Sequence, residues 1–534
     1  MLSCNNYPTV VRLLINLGGR WSFPATIETS IMPGLPSLAS AQEDERWGVK
    51  FGKFGVVWYS IKSGQLDKMK MFYLALLLVL PTTTQAAHTP EEWKTRTIYQ
   101  VLTDRFAGPS SSSCDLHDYC GGTWNALSEK LDYIKNLGFD AIWITPVVEN
   151  TEGGYHGYWA KNLSAVNSKF GSDMDLKELV QTAHSKDIWV MVDVVANHMG
   201  GTIDDIGSYA PFNQGDHYHD CNGCTTNCDI TDFNTLYSEN CEHCRLAGLP
   251  DLNQDNNYVA TQLNSWIKNL VQEYDFDGIR VDTIPEVKPT FWKTFNQAAN
   301  CYAIGEVLNG DIHYVAPFQG QALDGVLSYP MFFQLRNVFA SGHPFSELQT
   351  LSDSMPSQFS DVALLGTFLD NHDNVRFLNL NNDHTKYKNA LLHVLFSSGI
   401  PIVYYGSEQG FSGGSDPECR EIMWTSDYDT SNDLYQFLKS ALAVRKTTAP
   451  WTLAYPKWYW ADDSFGLFAK GQDMLIATTN VGNQDISRGV PLGGFAEGAK
   501  YCDALDPSYC SSISGGIISI ALSNGMPRVM IATA

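Results

Sequence analysis

The apolar positions of this chain change period along its length. Between residues 97 and 405, short runs rich in Val, Ile and aromatic residues alternate with longer runs whose apolar residues recur every three or four positions. The short runs at 97–101, 141–145, 189–195, 278–281, 302–306, 325–328, 364–368 and 401–405 predict eight strands. The longer ones, among them 124–137, 176–186 and 263–274, predict helices between most of these strands. Strands that are apolar on both faces and joined by helices belong to a parallel sheet, and eight repeats predict a closed (β/α)8 TIM barrel of the α/β class. A doubly wound open sheet is the competing architecture, but no Gly-rich phosphate loop supports it.

Two stretches break the alternation. Residues 199–255 form a polar, Gly- and Cys-rich insertion after the third strand, too long for an ordinary loop, so a small subdomain is expected. From about Trp451 the pattern becomes short alternating strands at 465–469, 474–478, 516–520 and 528–531, separated by turn residues. That pattern predicts a C-terminal antiparallel β-sandwich over 451–534. The barrel is thereby assigned to 88–198 and 256–450.

The first 87 residues read differently. Residues 69–87 combine a basic start, the short apolar run from Met71 to Leu80 and small residues ending at Ala87, the parts of a secretory signal peptide. The apolar run is too short to span a bilayer. Translation starting at Met69 or Met71 would leave residues 1–68 as an upstream extension outside the mature protein; an N-terminal anchor is the alternative. The sequence thus predicts a secreted, extracellular protein with no membrane span in its mature chain, and a monomer. A formal net charge of -23 disfavours nucleic acid as a partner. With 14 Trp and 25 Tyr but few charges, the composition suits a neutral ring-shaped ligand, although most of these aromatics are expected in the core.

In a parallel barrel the chemistry sits where the strands end. Strand three ends Asp193-Val194-Val195-Ala196-Asn197-His198, strand four Arg280-Val281-Asp282, strand five Gly305-Glu306-Val307, and strand seven Phe368-Leu369-Asp370-Asn371-His372-Asp373. Arg280 and Asp282, two apart on a strand, leave the same face, and a guanidinium favours the ionised form of its neighbour. Any one of these groups reads as a cap or an ion pair. Several carboxylates converging on one rim repel each other and point instead to general acid/base work, with or without a metal.

These four strand ends resemble the signature regions of the α-amylase family, glycoside hydrolase family 13. Leu249-Pro250-Asp251-Leu252 resembles its fifth region, and Tyr155-His156-Gly157-Tyr158-Trp159 resembles the fungal α-amylases in particular. The resemblance runs from Ala87 to the C-terminus. It implies endo-hydrolysis of α-1,4-glucosidic bonds with retention, Asp282 being the nucleophile, Glu306 the general acid/base and Asp373 the third carboxylate. Retaining glycosidases place their two carboxyl groups about 5–5.5 Å apart, and Asp373 is expected to raise the pKa of Glu306. His198 and His372 would bond sugar hydroxyls, Arg280 would hold Asp282 ionised, and Tyr158 would stack on the sugar ring. Asp416 and Arg420 would bind further toward the non-reducing end. The family's structural Ca²⁺ implies ligands at Asn197, Asp251, Glu239 and the backbone carbonyl of Glu286. Glu239 matches less well, its spacing to Asp251 differing from the fungal pattern.

Pro285-Glu286 stands where fungal α-amylases carry Lys-His, which alters the acceptor side of the cleft. The loop between Pro146 and Tyr155 is short, and Ala316 and Phe359 occupy the positions of a family disulfide. Among 12 Cys, Cys114 with Cys120 and Cys502 with Cys510 resemble family disulfides, as does Cys228 with Cys241. Cys221 and Cys224 are free to bond each other or Cys244, and the Cys221/Cys224 and Cys241/Cys244 pairs also fit a zinc-ribbon spacing. Cys301 and Cys419 are expected as buried thiols. Asn162-Leu163-Ser164 is a glycosylation sequon. A 4-α-glucanotransferase and a non-catalytic glucan-binding module are the competing functions on the same scaffold. Intact-mass measurement of the secreted chain is expected to place its N-terminus near His88; peptides from residues 1–68 in the mature protein would contradict the leader.

Overall fold

The computed structural model describes residues 88–109 and 113–533. The leader and upstream extension lie outside these. Eight parallel strands run in chain order: β1 (Ile98–Val101), β2 (Ala141–Ile144), β3 (Trp189–Val194), β4 (Gly278–Val281), β5 (Tyr302–Gly305), β6 (Gly325–Val326), β7 (Gly366–Thr367) and β8 (Ile400–Tyr404). Their order in the sheet is β6-β5-β4-β3-β2-β1-β8-β7, each paired with its neighbours in parallel register. The remaining seam is closed by a parallel bridge between Leu327 and Gly366, with Ser328 N–H donating to the Gly366 carbonyl at 2.8 Å. β6 and β7 are two residues each, shorter than the hydrophobic runs suggest, because pairing across this seam is reduced to that bridge.

Period two sorts the strand side chains into two separate clusters. Ile98, Ala141, Trp143, Met191, Ile304, Phe368 and Ile402 fill the barrel interior. Tyr99, Ile142, Val190, Val192, Ile279, Val281 and Val403 face outward onto the helices. At the N-terminal end Trp93 plugs the interior, donating its indole N–H to the Asp277 carbonyl at 3.1 Å. Gly278 makes room for it, since a Cβ there would stand 2.8 Å from the indole ring. At the other end the inward positions become polar: Gln100, Asp193 and Arg280 follow Ile98, Met191 and Gly278 at intervals of two.

A hairpin of Val148–Asn150 and Ala160–Val166, absent from the sequence reading, follows β2. The insertion after β3 is tied down by disulfides Cys221–Cys228 and Cys224–Cys244. The Cys228–Cys241 bridge suggested by the family resemblance does not form: Cys228 is spent on Cys221, and Cys241 is a buried thiol. These bridges also consume three of the four thiols that a zinc ribbon needs. Cys114–Cys120 and Cys502–Cys510 are bonded, and Cys301 and Cys419 are buried thiols. The C-terminal region is antiparallel, with a six-stranded sheet and a separate pair, Ile486–Pro491 with Ile517–Leu522, enclosing its own core. Among the described residues, no helix is long and apolar enough to cross a membrane.

Where the C-terminal sheet meets the barrel helices, Lys470 is 3% exposed and its ammonium donates to the Ser397 carbonyl at 2.5 Å. Burial, with a lesser contribution from the Arg445 guanidinium, pushes its pKa down to about 7. The unfolded chain therefore binds more protons than the folded one between about pH 7 and pH 10. The destabilisation is complete below about pH 7 and fades as pH rises toward the unfolded value. Lys470→Met is expected to raise Tm by several degrees at pH 6 and by clearly less at pH 9.5, as read by calorimetry at the two pH values.

Candidate active site

Arg280 reaches the C-terminal mouth of the barrel from β4 and is 1% exposed. Its Nη1 donates to Asp193 Oδ1 at 3.0 Å, to Asp193 Oδ2 at 3.1 Å and to Asp282 Oδ1 at 2.7 Å. Its Nη2 lies 2.8 Å from Glu306 Oε2. The carboxylates come from the ends of β3, β4 and β5, so the parallel register of three adjacent strands assembles the cluster. The sequence expectation paired Arg280 with Asp282 alone. In the structure one guanidinium serves three carboxylates, and the formal excess of negative charge favours retention of a proton. Burial, reinforced by Glu306 and Asp193, accordingly holds Asp282 well above the usual carboxylate range despite Arg280. Burial likewise pushes Asp193 up to about 6.

Asp373 lies on the segment that follows β7. It lies 3.3 Å from His372 Nε2 and 3.3 Å from an Arg420 Nη, and its side chain is 30% exposed. Glu306 accepts from the Tyr329 hydroxyl at 3.3 Å and from the Thr283 N–H at 3.4 Å. Thr283 adopts a left-handed conformation, φ 47°, which turns the chain out of β4.

A directional chain of hydrogen bonds runs along one wall. Gln100 Nε2 donates to His372 Nδ1 at 2.7 Å, leaving the His372 Nε2–H for the Tyr158 hydroxyl at 2.7 Å. Tyr158 in turn donates to Asp193 Oδ2 at 2.8 Å, and Trp143 Nε1 donates to the same oxygen at 3.0 Å. The Tyr158 and His372 rings are stacked with centroids 5.3 Å apart. Burial holds His372 well below the ordinary histidine range and pushes His198 down to about 4, so both offer hydrogen bonds rather than charge. His198 Nε2 lies 3.2 Å from the Tyr158 carbonyl. Arg420 donates to the His372 carbonyl at 2.8 Å and the Tyr155 hydroxyl at 3.0 Å, and pairs with Asp416 at 2.9 Å. The Asp416–Arg420 pair is thus anchored to the same wall.

Asn197, Asp251 and Glu286 also converge. One side-chain amide atom of Asn197 stands 3.1 Å from Asp251 Oδ1 and 3.3 Å from the Glu286 carbonyl, and the other stands 3.2 Å from His198 Nδ1. Leu252 N–H donates to the Asn197 carbonyl at 2.8 Å and Met199 N–H to the Pro250 carbonyl at 3.0 Å, fastening the end of the insertion to the end of β3. Asp251 is 3% exposed, and its Oδ2 lies 2.7 Å from His219 Nδ1. Glu239 does not join them: it stands exposed in the first turn of the helix Glu239–His243. The insertion's spacing places Cys241 and Glu242, not Glu239, on the buried side of that short helix.

Sequence reasoning gave no role to Gln100, Trp143, Asp193 or Tyr329, naming Asp193 only as part of a strand end. The first three carry a usable signal, since each has the inward parity of its strand. Tyr329 opens the helix after β6 and has no such signal.

Removing the shared cation leaves three buried carboxylates unpaired, a class of change that costs about 3–5 kcal/mol. Arg280→Met raises the folded-state pKa values of Asp193 and Asp282 further, so the loss relative to wild type is smallest while both stay protonated and grows as pH rises through the wild-type folded value of about 6 for Asp193. The expected outcome is a Tm loss of roughly ten degrees at pH 7 that narrows toward pH 4, read from melting curves across that range.

The profile of the alpha amylase catalytic domain matches residues 100–454. "Alpha-amylase 1" of Schwanniomyces occidentalis is 37% identical over 469 residues, covering 82% of this chain and 90% of the relative. "Alpha-amylase" of Saccharomycopsis fibuligera is 35% identical over 483 residues, covering 86% and 95%. Among solved structures, an alpha-amylase from Malbranchea cinnamomea superposes with a TM-score of 0.78 at 35% identity, covering 83% of this chain and 98% of the other. With the motifs, the barrel and these relatives in agreement, this chain belongs to the alpha-amylase family.

Proposed function

We propose that this protein hydrolyses α-1,4-glucosidic bonds within starch, glycogen and maltooligosaccharides with retention of anomeric configuration. The observation that carries this reading is the cluster of Asp193, Asp282 and Glu306 on one buried guanidinium, opening onto Asp373 at the barrel mouth. Asp282 attacks the anomeric carbon as Glu306 delivers its proton to the glycosidic oxygen, and the C1–O bond breaks. The product is a glycosyl ester on Asp282. Water then attacks C1, Glu306 takes its proton, and Asp282 departs as a carboxylate. Glu306 and Asp282 both touch Arg280, so charge moving from one carboxyl to the other during the reaction stays beside the same cation. Asp373, more exposed than either, is free to bind sugar hydroxyls and to face the positive charge that develops on the ring. His198 and His372 bond hydroxyls as neutral donors or acceptors, and Tyr158 offers its ring face. The Asp416–Arg420 pair extends the cleft on the donor side.

The Asn197–Asp251–Glu286 cluster fits a hard cation. With the Asn197 amide oxygen turned inward, three oxygens converge at 3.1–3.3 Å with no hydrogen between them. All are oxygen donors, as Ca²⁺ prefers. The side chains of Asn197 and Asp251 and the Glu286 carbonyl would hold it, and a bound ion would fasten the insertion to the barrel wall. Secretion is inferred from the leader at 69–87 and supported by four disulfides; a monomer is the assembly proposed.

Asp282→Asn, Glu306→Gln and Asp373→Asn are each expected to lower kcat on maltopentaose by several orders of magnitude while leaving the circular dichroism spectrum unchanged. Chromatography of wild-type products should show shorter sugars at low substrate and some transfer products at high substrate. Products longer than maltopentaose dominating at low concentration would instead mark a glucanotransferase, and substantial activity in Asp282→Asn would contradict the assignment of the nucleophile.

A further inference from the structure

The residue whose carbonyl faces the Asn197 amide also carries a buried carboxyl group. Glu286 ends the short 3-10 turn Ile284–Glu286 that follows β4. It is 7% exposed, and its side-chain Oε2 is buried without a hydrogen-bond partner among the described residues. Its own backbone carbonyl is one of the three oxygens around the Asn197 amide. The carboxyl lies within electrostatic reach of both Glu306 and Asp251, and neither supplies a positive charge.

A buried carboxyl oxygen with no donor is tolerated only if the group keeps its proton, as burial favours, or if a cation meets it. Two occupants suit its position near the barrel mouth. A sugar hydroxyl from the acceptor side is one, but Oε2 has no exposed surface for a substrate to approach. A cation seated among Asn197, Asp251 and the Glu286 carbonyl is the other, and it needs no solvent path to Oε2. The expected ligand Glu239 is exposed, so the cluster around the Asn197 amide otherwise holds a single carboxylate, Asp251. Two carboxylates balance one divalent charge.

We propose that the side-chain carboxylate of Glu286, in addition to its carbonyl, is a direct ligand of the structural cation and takes the acidic role that Glu239 leaves vacant. This rests on the reading of the cluster as a Ca²⁺ site. Both donors then come from one residue on the turn that leaves the nucleophile's strand. Because the carbonyl survives any substitution, the side chain's contribution can be isolated. Ligand charge count is a principal determinant of Ca²⁺ affinity.

The test is calorimetric titration of the full-length mature protein, stripped with chelator, using Ca²⁺ alone as the probe. Glu286→Gln is expected to weaken Ca²⁺ binding at least tenfold and Glu286→Ala further, whereas Glu239→Gln stays within twofold of wild type. Europium luminescence lifetimes in H₂O and D₂O should count additional metal-bound water in Glu286→Ala. Should Glu286→Ala fail to fold, the isosteric Glu286→Gln still decides the point by its affinity. Wild-type affinity in the Glu286 variants, or a loss confined to Glu239→Gln, overturns the ligand assignment while leaving the metal site. No Ca²⁺ binding by the wild-type protein overturns the metal site itself.

Discussion

The mouth of this barrel depends on one buried guanidinium. Arg280 touches Asp193, Asp282 and Glu306, which arrive from three adjacent strands. Without it, parallel register would bring three like charges together in a desolvated space. With it, the repulsion becomes useful. Charge in excess of what one cation can neutralise makes the cluster retain a proton, and a retaining glycosidase needs one carboxyl protonated while another attacks. Asp193, pushed up to about 6, is part of that balance although it is more deeply buried than Asp282 and Glu306. The network from Gln100 through His372 and Tyr158 ends on the same Asp193, so the orientation of the stacked ring and the charge state of the cluster are set together.

The second constraint is the join between the insertion and the barrel. Backbone hydrogen bonds from Met199 and Leu252 pair the end of β3 with the segment around Asp251, and the Asn197 amide faces Asp251 and Glu286. Glu286 sits on the turn directly after Asp282. An event in the oxygen cluster is therefore a few covalent bonds from Asp282. The disulfides of the insertion stabilise the subdomain locally but leave Cys241 unpaired beside it. The Pro285-Glu286 departure from the fungal pattern bears on this join as well as on the acceptor side.

Much of this was legible in the amino-acid sequence alone. Periodicity determined the eight strands, the insertion and the change to antiparallel strands near Trp451, because apolar spacing reflects which faces must leave water. Parity along β4 determined that Arg280 and Asp282 share a face, and the motifs placed the remaining carboxylates at strand ends. Tertiary structure decided what local pattern cannot encode: which charges meet. That Arg280 serves Glu306 as well as Asp282, that Asp373 turns to Arg420, and that Tyr329 reaches Glu306 all depend on register between distant segments. Cysteine spacing left several pairings open, and only the packing of the insertion selected Cys221–Cys228 and Cys224–Cys244. The same holds for Glu239 and Glu286. Their positions in the chain marked both as candidate ligands, but burial, a property of the folded surface rather than of the residue, left Glu239 in solvent and enclosed Glu286 beside Asp251.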